Sequence, residues 1–167
     1  MFNYFYKSLY FETFNYYVNL PKQTFIDKLD ELFLKKKGYF KKQNLVGKFI
    51  DYPDTFIITP KWWFVYIRNF ERDPAILKGV ATKISDTETK IEIAVRPNSV
   101  FLILFVVFLL AGLFTLFKFG LTTDIRHNLM STWLLIFGLP TTLFMGRFAA
   151  TKLRKSFENY FDLTLIE

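Results

Sequence analysis

The run from Ser99 to Phe117, SVFLILFVVFLLAGLFTLF, carries no charge. A helix needs about 20 apolar residues, each rising 1.5 Å, to cross the hydrocarbon of a bilayer. The run meets that length, and Lys118 follows it where a long stem can snorkel to the headgroups. A soluble chain of 167 residues is too short to surround such an element on every side. The run therefore predicts a transmembrane helix, and the rest of the fold has to be arranged around it.

A second apolar run, LMSTWLLIFGLPTTLFM from Leu129 to Met145, follows a short linker, FGLTTDIRHN. It contains Pro140, which spans tolerate because neighbouring groups re-satisfy the freed backbone. It predicts a second span, kinked near Gly138 and Pro140. So short a linker makes the two helices antiparallel neighbours, and Ala111, Gly112 and Gly138 favour close approach. Arg96 precedes the first run, and Arg147, Lys152, Arg154 and Lys155 follow the second, whereas the connecting region holds Lys118 and Arg126. The positive-inside rule then places both termini in the cytoplasm of an inner-membrane protein, with Trp133 near the opposite interface. The first residues lack a basic n-region and a continuous apolar core, so an uncleaved amino terminus is expected. Neither run has an internal charge, which argues against an ion pathway or transporter.

Ahead of the spans the pattern is that of an α+β domain. The opening MFNYFYKSLYFETFNYYVNL is rich in aromatics and predicts a strand around Phe14–Val18. Its earlier aromatics would pack on the domain or rest at the lipid interface. Pro21 marks a first helical turn, and Phe25, Leu29, Leu32 and Phe33 repeat at helical spacing, so an amphipathic helix is expected over Pro21–Leu34. Beyond Asn44 the period changes. Strands are expected over Leu45–Asp51, Thr55–Thr59, Trp62–Ile67 as a central apolar strand, Ile76–Ile84 with a bulge at Gly79, and Thr89–Val95. In the last, Ile91, Ile93 and Val95 alternate with Lys90, Glu92, Ala94 and Arg96. Short connections make this an antiparallel β-meander packed against the helix. After the second run, Ala149, Leu153, Phe157 and Phe161 share one helical face in an amphipathic segment that would dock on the sheet or lie along the inner leaflet. Phe161–Ile166 is a candidate last strand. The organisation is thus residues 1–97 as a cytoplasmic α+β domain, 98–147 as a transmembrane helical hairpin, and 148–167 as a C-terminal cytoplasmic helix and tail.

In the helix PKQTFIDKLDELF, the phrases LVGKFI and ILKGVATKI, and KIEIAVRPN running into the first span, the chain resembles small, poorly characterised inner-membrane proteins of Bacteroidota type. Those proteins join a small helix-plus-sheet domain, loosely like the pleckstrin-homology-like domains of YcxB-like proteins, to a transmembrane hairpin. The resemblance covers most of the chain from about Val18, and it brings no catalytic residues with it.

With no cysteine, thiolate nucleophiles, disulfides and Cys-based metal sites are excluded. His127 is the only histidine and lies in the connecting loop, so no catalytic or metal constellation is expected around it. Asp51 with Asp54, and Glu71 with Asp73, are carboxylate pairs beside prolines, where turns call for acidic residues anyway. There is no Gly-rich phosphate loop. No cofactor, metal or enzymatic activity is predicted.

The net charge is +7. Its densest concentration is KKKGYFKK, in which Lys35, Lys36, Lys37, Lys41 and Lys42 surround Tyr39 and Phe40. The cluster either solubilises a helix end or, with Arg154 and Lys155, contacts anionic headgroups of the leaflet beside which the domain is tethered. Tyr39 and Phe40 would permit base stacking, but membrane tethering disfavours nucleic acid. The favoured function is a membrane-anchored interaction or regulatory module, binding a protein partner, a second copy of itself or the anionic leaflet. The alternatives are an immunity-type protein that blocks a toxin at the inner membrane, and a lipid-handling membrane enzyme.

Overall fold

A computed structural model of the chain describes residues 12–34, 45–60, 73–119 and 132–163. In chain order these form β1 (Glu12–Val18), α1 (Lys22–Leu34), β2 (Leu45–Asp51), β3 (Thr55–Pro60), β4 (Ala75–Lys83), β5 (Thr89–Pro97), α2 (Ser99–Phe119) and α3 (Leu139–Phe161). A π-helical segment, Trp133–Gly138, leads directly into α3.

The strands make one antiparallel sheet in the order β1-β5-β4-β3-β2. From β2 to β5 the chain meanders as its alternating pattern predicts. β1 then joins the outer side of β5, so α1 must carry the chain from one edge of the sheet to the other. Register follows the pleat: Tyr16 stands beside Ile91 and Ile91 beside Ala81, while Phe14, Ile93, Gly79 and Phe56 form the adjacent row. The expected strand Trp62–Ile67 lies outside the described residues, and β3 pairs directly with β4.

Gly79 is not at a bulge. It is in register with both Phe56 and Ile93, and its missing side chain is what the sheet uses: a β-carbon there would collide with the Phe56 ring. The shift of register falls instead between Phe49 and Asp51.

One face of the sheet is covered by α1 and the C-terminal half of α3. Phe25, Ile26, Leu29 and Leu32 of α1 are buried. Phe33, also expected in that contact, is only half-buried and packs edge-on against Phe49 at 5.2 Å, over the space left by Gly47. From α3 come Leu153, Phe157 and Phe161. Phe25 lies 4.9 Å from Phe161 and 6.1 Å from Phe56, and Phe157 lies 6.0 Å from Phe56 and 4.9 Å from Phe161. Of the two placements open to the last helix, the structure has it docked on the sheet. Ile91 and Ile93 are fully buried on the same face.

One expectation about the carboxy-terminal region needs correction, and one expected boundary falls inside a helix. α3 is continuous through Arg147 and Phe148, with no break between hairpin and terminal helix. It also includes Phe161, so the proposed strand does not start there. The helix closes on Asp162, whose left-handed φ of 54° turns the Leu163 N–H onto the Glu158 carbonyl at 2.9 Å. Residues 164–167 lie outside the described residues. Near Gly138 and Pro140, where a kink is expected, the chain passes from π to α geometry without leaving helical dihedrals, and the Leu139 N–H bonds to the Leu134 carbonyl.

Replacing Ile91 with Ala is expected to cost roughly 2–5 kcal/mol, and Phe157 with Ala about 3–5 kcal/mol. Thermal unfolding in detergent reads both. An unchanged midpoint for Phe157→Ala is incompatible with a docked α3.

Candidate functional site

Between Ser99 and Lys118 only Gly112 is buried. Leu110 and Phe114 are 60% and 62% exposed, and on the opposing helix Ile136 and Phe144 are 59% and 65% exposed. The core helix of a soluble protein buries such side chains. A soluble surface rarely shows a contiguous apolar patch beyond a few hundred Å². Both helices are long and apolar enough to cross a membrane.

The two helices run antiparallel and meet at glycines. A β-carbon on Gly112 would lie 2.6 Å from the Leu135 side chain, and one on Gly138 would lie 3.0 Å from Phe108. One on Gly146 would lie 3.3 Å from Pro97 and 3.4 Å from Phe101. Gly112 and Gly138 are legible in the sequence as points of close approach; Gly146 is a third. Two hydroxyls in this region are satisfied within their own helices. Thr115 donates to the carbonyls of Ala111 and Gly112 at 3.0 and 2.8 Å, and Thr142 to that of Leu139 at 2.9 Å.

Asn98 is the joint between sheet and helices. Its side-chain oxygen accepts from the Val100 N–H at 2.7 Å, which caps α2. Its side-chain nitrogen donates to the Asp73 carbonyl at 2.6 Å, and its backbone N–H to that of Pro74 at 3.0 Å. The start of α2 is thereby tied both to β5, which it continues, and to the segment entering β4. Gly146 of α3 packs at the same level, against Pro97.

A polar cluster ties β1 to α3. Tyr16 is fully buried, and its hydroxyl donates to Glu158 Oε1 at 2.6 Å. Arg154, one turn earlier on α3, pairs with the same oxygen at 3.4 Å and lays its guanidinium 4.3 Å over the Phe14 ring. Burial pushes the Tyr16 phenol above its ordinary range. The hydrogen bond to Glu158 and that residue's charge add to the shift, and Arg154 opposes it. Arg154 is thus occupied by protein groups, while Lys155 beside it is exposed. The remaining basic and aromatic residues singled out from the sequence, Lys35, Lys36, Lys37, Tyr39, Phe40, Lys41 and Lys42, lie outside the described residues.

Of the carboxylate pairs, Asp51, Asp54 and Asp73 are among the described residues. Asp54 is ion-paired with Lys22, and its carbonyl accepts the Ala81 N–H at 3.0 Å. Asp73 offers its carbonyl to Asn98. Glu71 and His127 lie outside the described residues. Compared with known proteins, the chain matches no protein-family model, no curated protein and no solved structure.

The raised phenol gives a pH signature. A folded-state pKa above the unfolded value of about 10 means that Tyr16 contributes its full stability below pH 10. That contribution falls as pH rises further, because the unfolded chain loses the proton first. Tyr16→Phe is expected to cost about 1 kcal/mol at neutral pH. It should also show a shallower fall in thermal midpoint above pH 10 than the unmutated chain. Parallel curves would mean that the hydroxyl is not held by Glu158.

Proposed function

We propose that the chain is a non-enzymatic membrane-anchored interaction module. In this reading α2 and the π-helical segment with the first half of α3 cross the inner membrane as a hairpin. Both termini are cytoplasmic, and the sheet is held against the inner face. The observation that carries the reading is the exposure of α2: an apolar helix with no charge before Lys118, and with only Gly112 buried between Ser99 and Lys118, has no place in water. Hydroxyls bonded within their own helices and glycines at the helix contacts suit a lipid environment, where packing and internal hydrogen bonding replace the hydrophobic effect. The basic residues near the sheet end support the cytoplasmic orientation.

The sheet itself supports the interaction role. α1 and α3 share one face, and the opposite face presents Tyr17 and Val80, 46% and 42% exposed, among Lys48, Lys78 and Glu92. An amphipathic sheet face presented beside a membrane suits a protein partner.

A reporter fused after Glu167 and another before Phe2 are both expected to read cytoplasmic, and one inserted at Thr123 external. The protein should resist alkaline extraction from membranes. An external reading at either terminus overturns the topology. Affinity purification from native membranes in mild detergent is expected to recover a partner that Tyr17→Ala with Val80→Asp releases while the thermal midpoint holds. A partner retained by that variant would exclude the open sheet face.

A further inference from the structure

Along α3, Phe144, Phe148, Lys152 and Lys155 form one exposed stripe. Their spacing of four, four and three residues keeps them on a single helical face. That face is opposite the one carrying Leu153 and Phe157 into the core. The Phe144 and Phe148 rings stack at 6.2 Å, and the Lys152 ammonium stands 5.9 Å over the Phe148 ring. Apolar rings therefore give way to cations along one line, within a turn.

We infer that this stripe is a binding surface for anionic phospholipid headgroups, with Lys152 and Lys155 at the phosphates and Phe144 and Phe148 against the acyl chains. The inference rests on the membrane-spanning reading above and adds the depth of the protein and the lipid class it selects. Two features place the edge of the hydrocarbon at the same level. α2 begins at Ser99, capped by Asn98, and Gly146 packs there against Pro97 and Phe101. Phe148 lies half a turn beyond Gly146. Lys152 lies a further four residues out, about 6 Å at the helical rise, which is where phosphates stand outside the hydrocarbon. Lys155 extends the same charge by about another turn. The complementarity is of sign and of depth: two cations meet an anionic layer, and the rings below them meet apolar chains. Arg154 does not belong to this surface. It points off the stripe, and its guanidinium is engaged with Phe14 and Glu158.

The test uses the full chain in phosphatidylcholine vesicles, with spin-labelled phosphatidylglycerol or spin-labelled phosphatidylcholine as the probe. A motionally restricted component is expected with both labels, because both meet the spanning helices. At about 50 mM salt the restricted fraction should favour phosphatidylglycerol by at least about fivefold, the fold-change of about 1 kcal/mol for each basic residue near an anionic surface. The preference should shrink toward one at about 300 mM salt. Lys152→Gln with Lys155→Gln should abolish it, and Lys152→Arg with Lys155→Arg should keep it. Equal restriction of the two lipids overturns the proposal while leaving the spanning reading intact. So does a preference that survives the glutamine variant, which would place the selectivity elsewhere in the chain. No restricted component from either lipid overturns the spanning reading and the proposal together.

Discussion

Everything in the molecule depends on α3 being one unbroken helix. Phe144 and Phe148 stand exposed toward its start, and Leu153, Phe157 and Phe161 lie in the sheet core at its end. A helix has no soft joint within it, because each turn is hydrogen-bonded to the next. The direction in which α3 leaves the apolar pair therefore fixes where the sheet sits. The second crossing is equally stiff. β5 reaches α2 through Asn98 alone, and three hydrogen bonds made by that residue hold the corner. With two stiff crossings packed against each other at Gly146 and Pro97, the sheet cannot swing relative to the helical pair without disrupting one of them.

The core answers this demand with rings. Phe25, Phe56, Phe157 and Phe161 meet from α1, β3 and α3, at centroid separations between 4.9 and 6.1 Å. Aromatic pairs of this kind contribute beyond the area they bury. Four large side chains fit there because the sheet beneath them is locally small. Gly79 leaves room for Phe56, with Leu77 and Ala81 on either side of it on the same face of β4. Two helices thus lie side by side on five strands of modest length, and the aromatic share of the sequence, 20%, is partly spent in this layer.

Local periodicity carried much of this into view. The alternation of Ile91, Ile93 and Val95, the four-residue spacing of Leu153, Phe157 and Phe161, and the uncharged run after Asn98 each reflect a regular element meeting one environment on one face. What periodicity cannot hold is pairing across distance. Tyr16 and Glu158 are 142 residues apart, and neither position hints at the other. Gly79 looks like an interruption in a strand until Phe56 is placed over it. Lys152, Arg154 and Lys155 form a single basic group by composition, yet about 100° of rotation per residue sends Arg154 off the face shared by the two lysines. The merger of the second apolar run with the terminal helix was hidden for a similar reason. Its composition changes at Arg147, but composition marks a change of surroundings and not a break in the backbone.

The two halves of α3 are held by different forces, and this gives the junction its importance. Around Leu153 and Phe157, burial away from water drives the packing. Around Gly138 and Gly146, in the proposed membrane setting, lipid chains are as apolar as Phe101 or Phe108, so burial contributes little and close fit must hold the helices together. Such contacts are weak one at a time. The sheet domain strengthens them from outside, because Asn98 and the docked end of α3 fix the ends of both helices at one level. In return, the hairpin holds β5 and the end of α3 at a fixed separation, the spacing that Ile93 and Phe157 need to share a core.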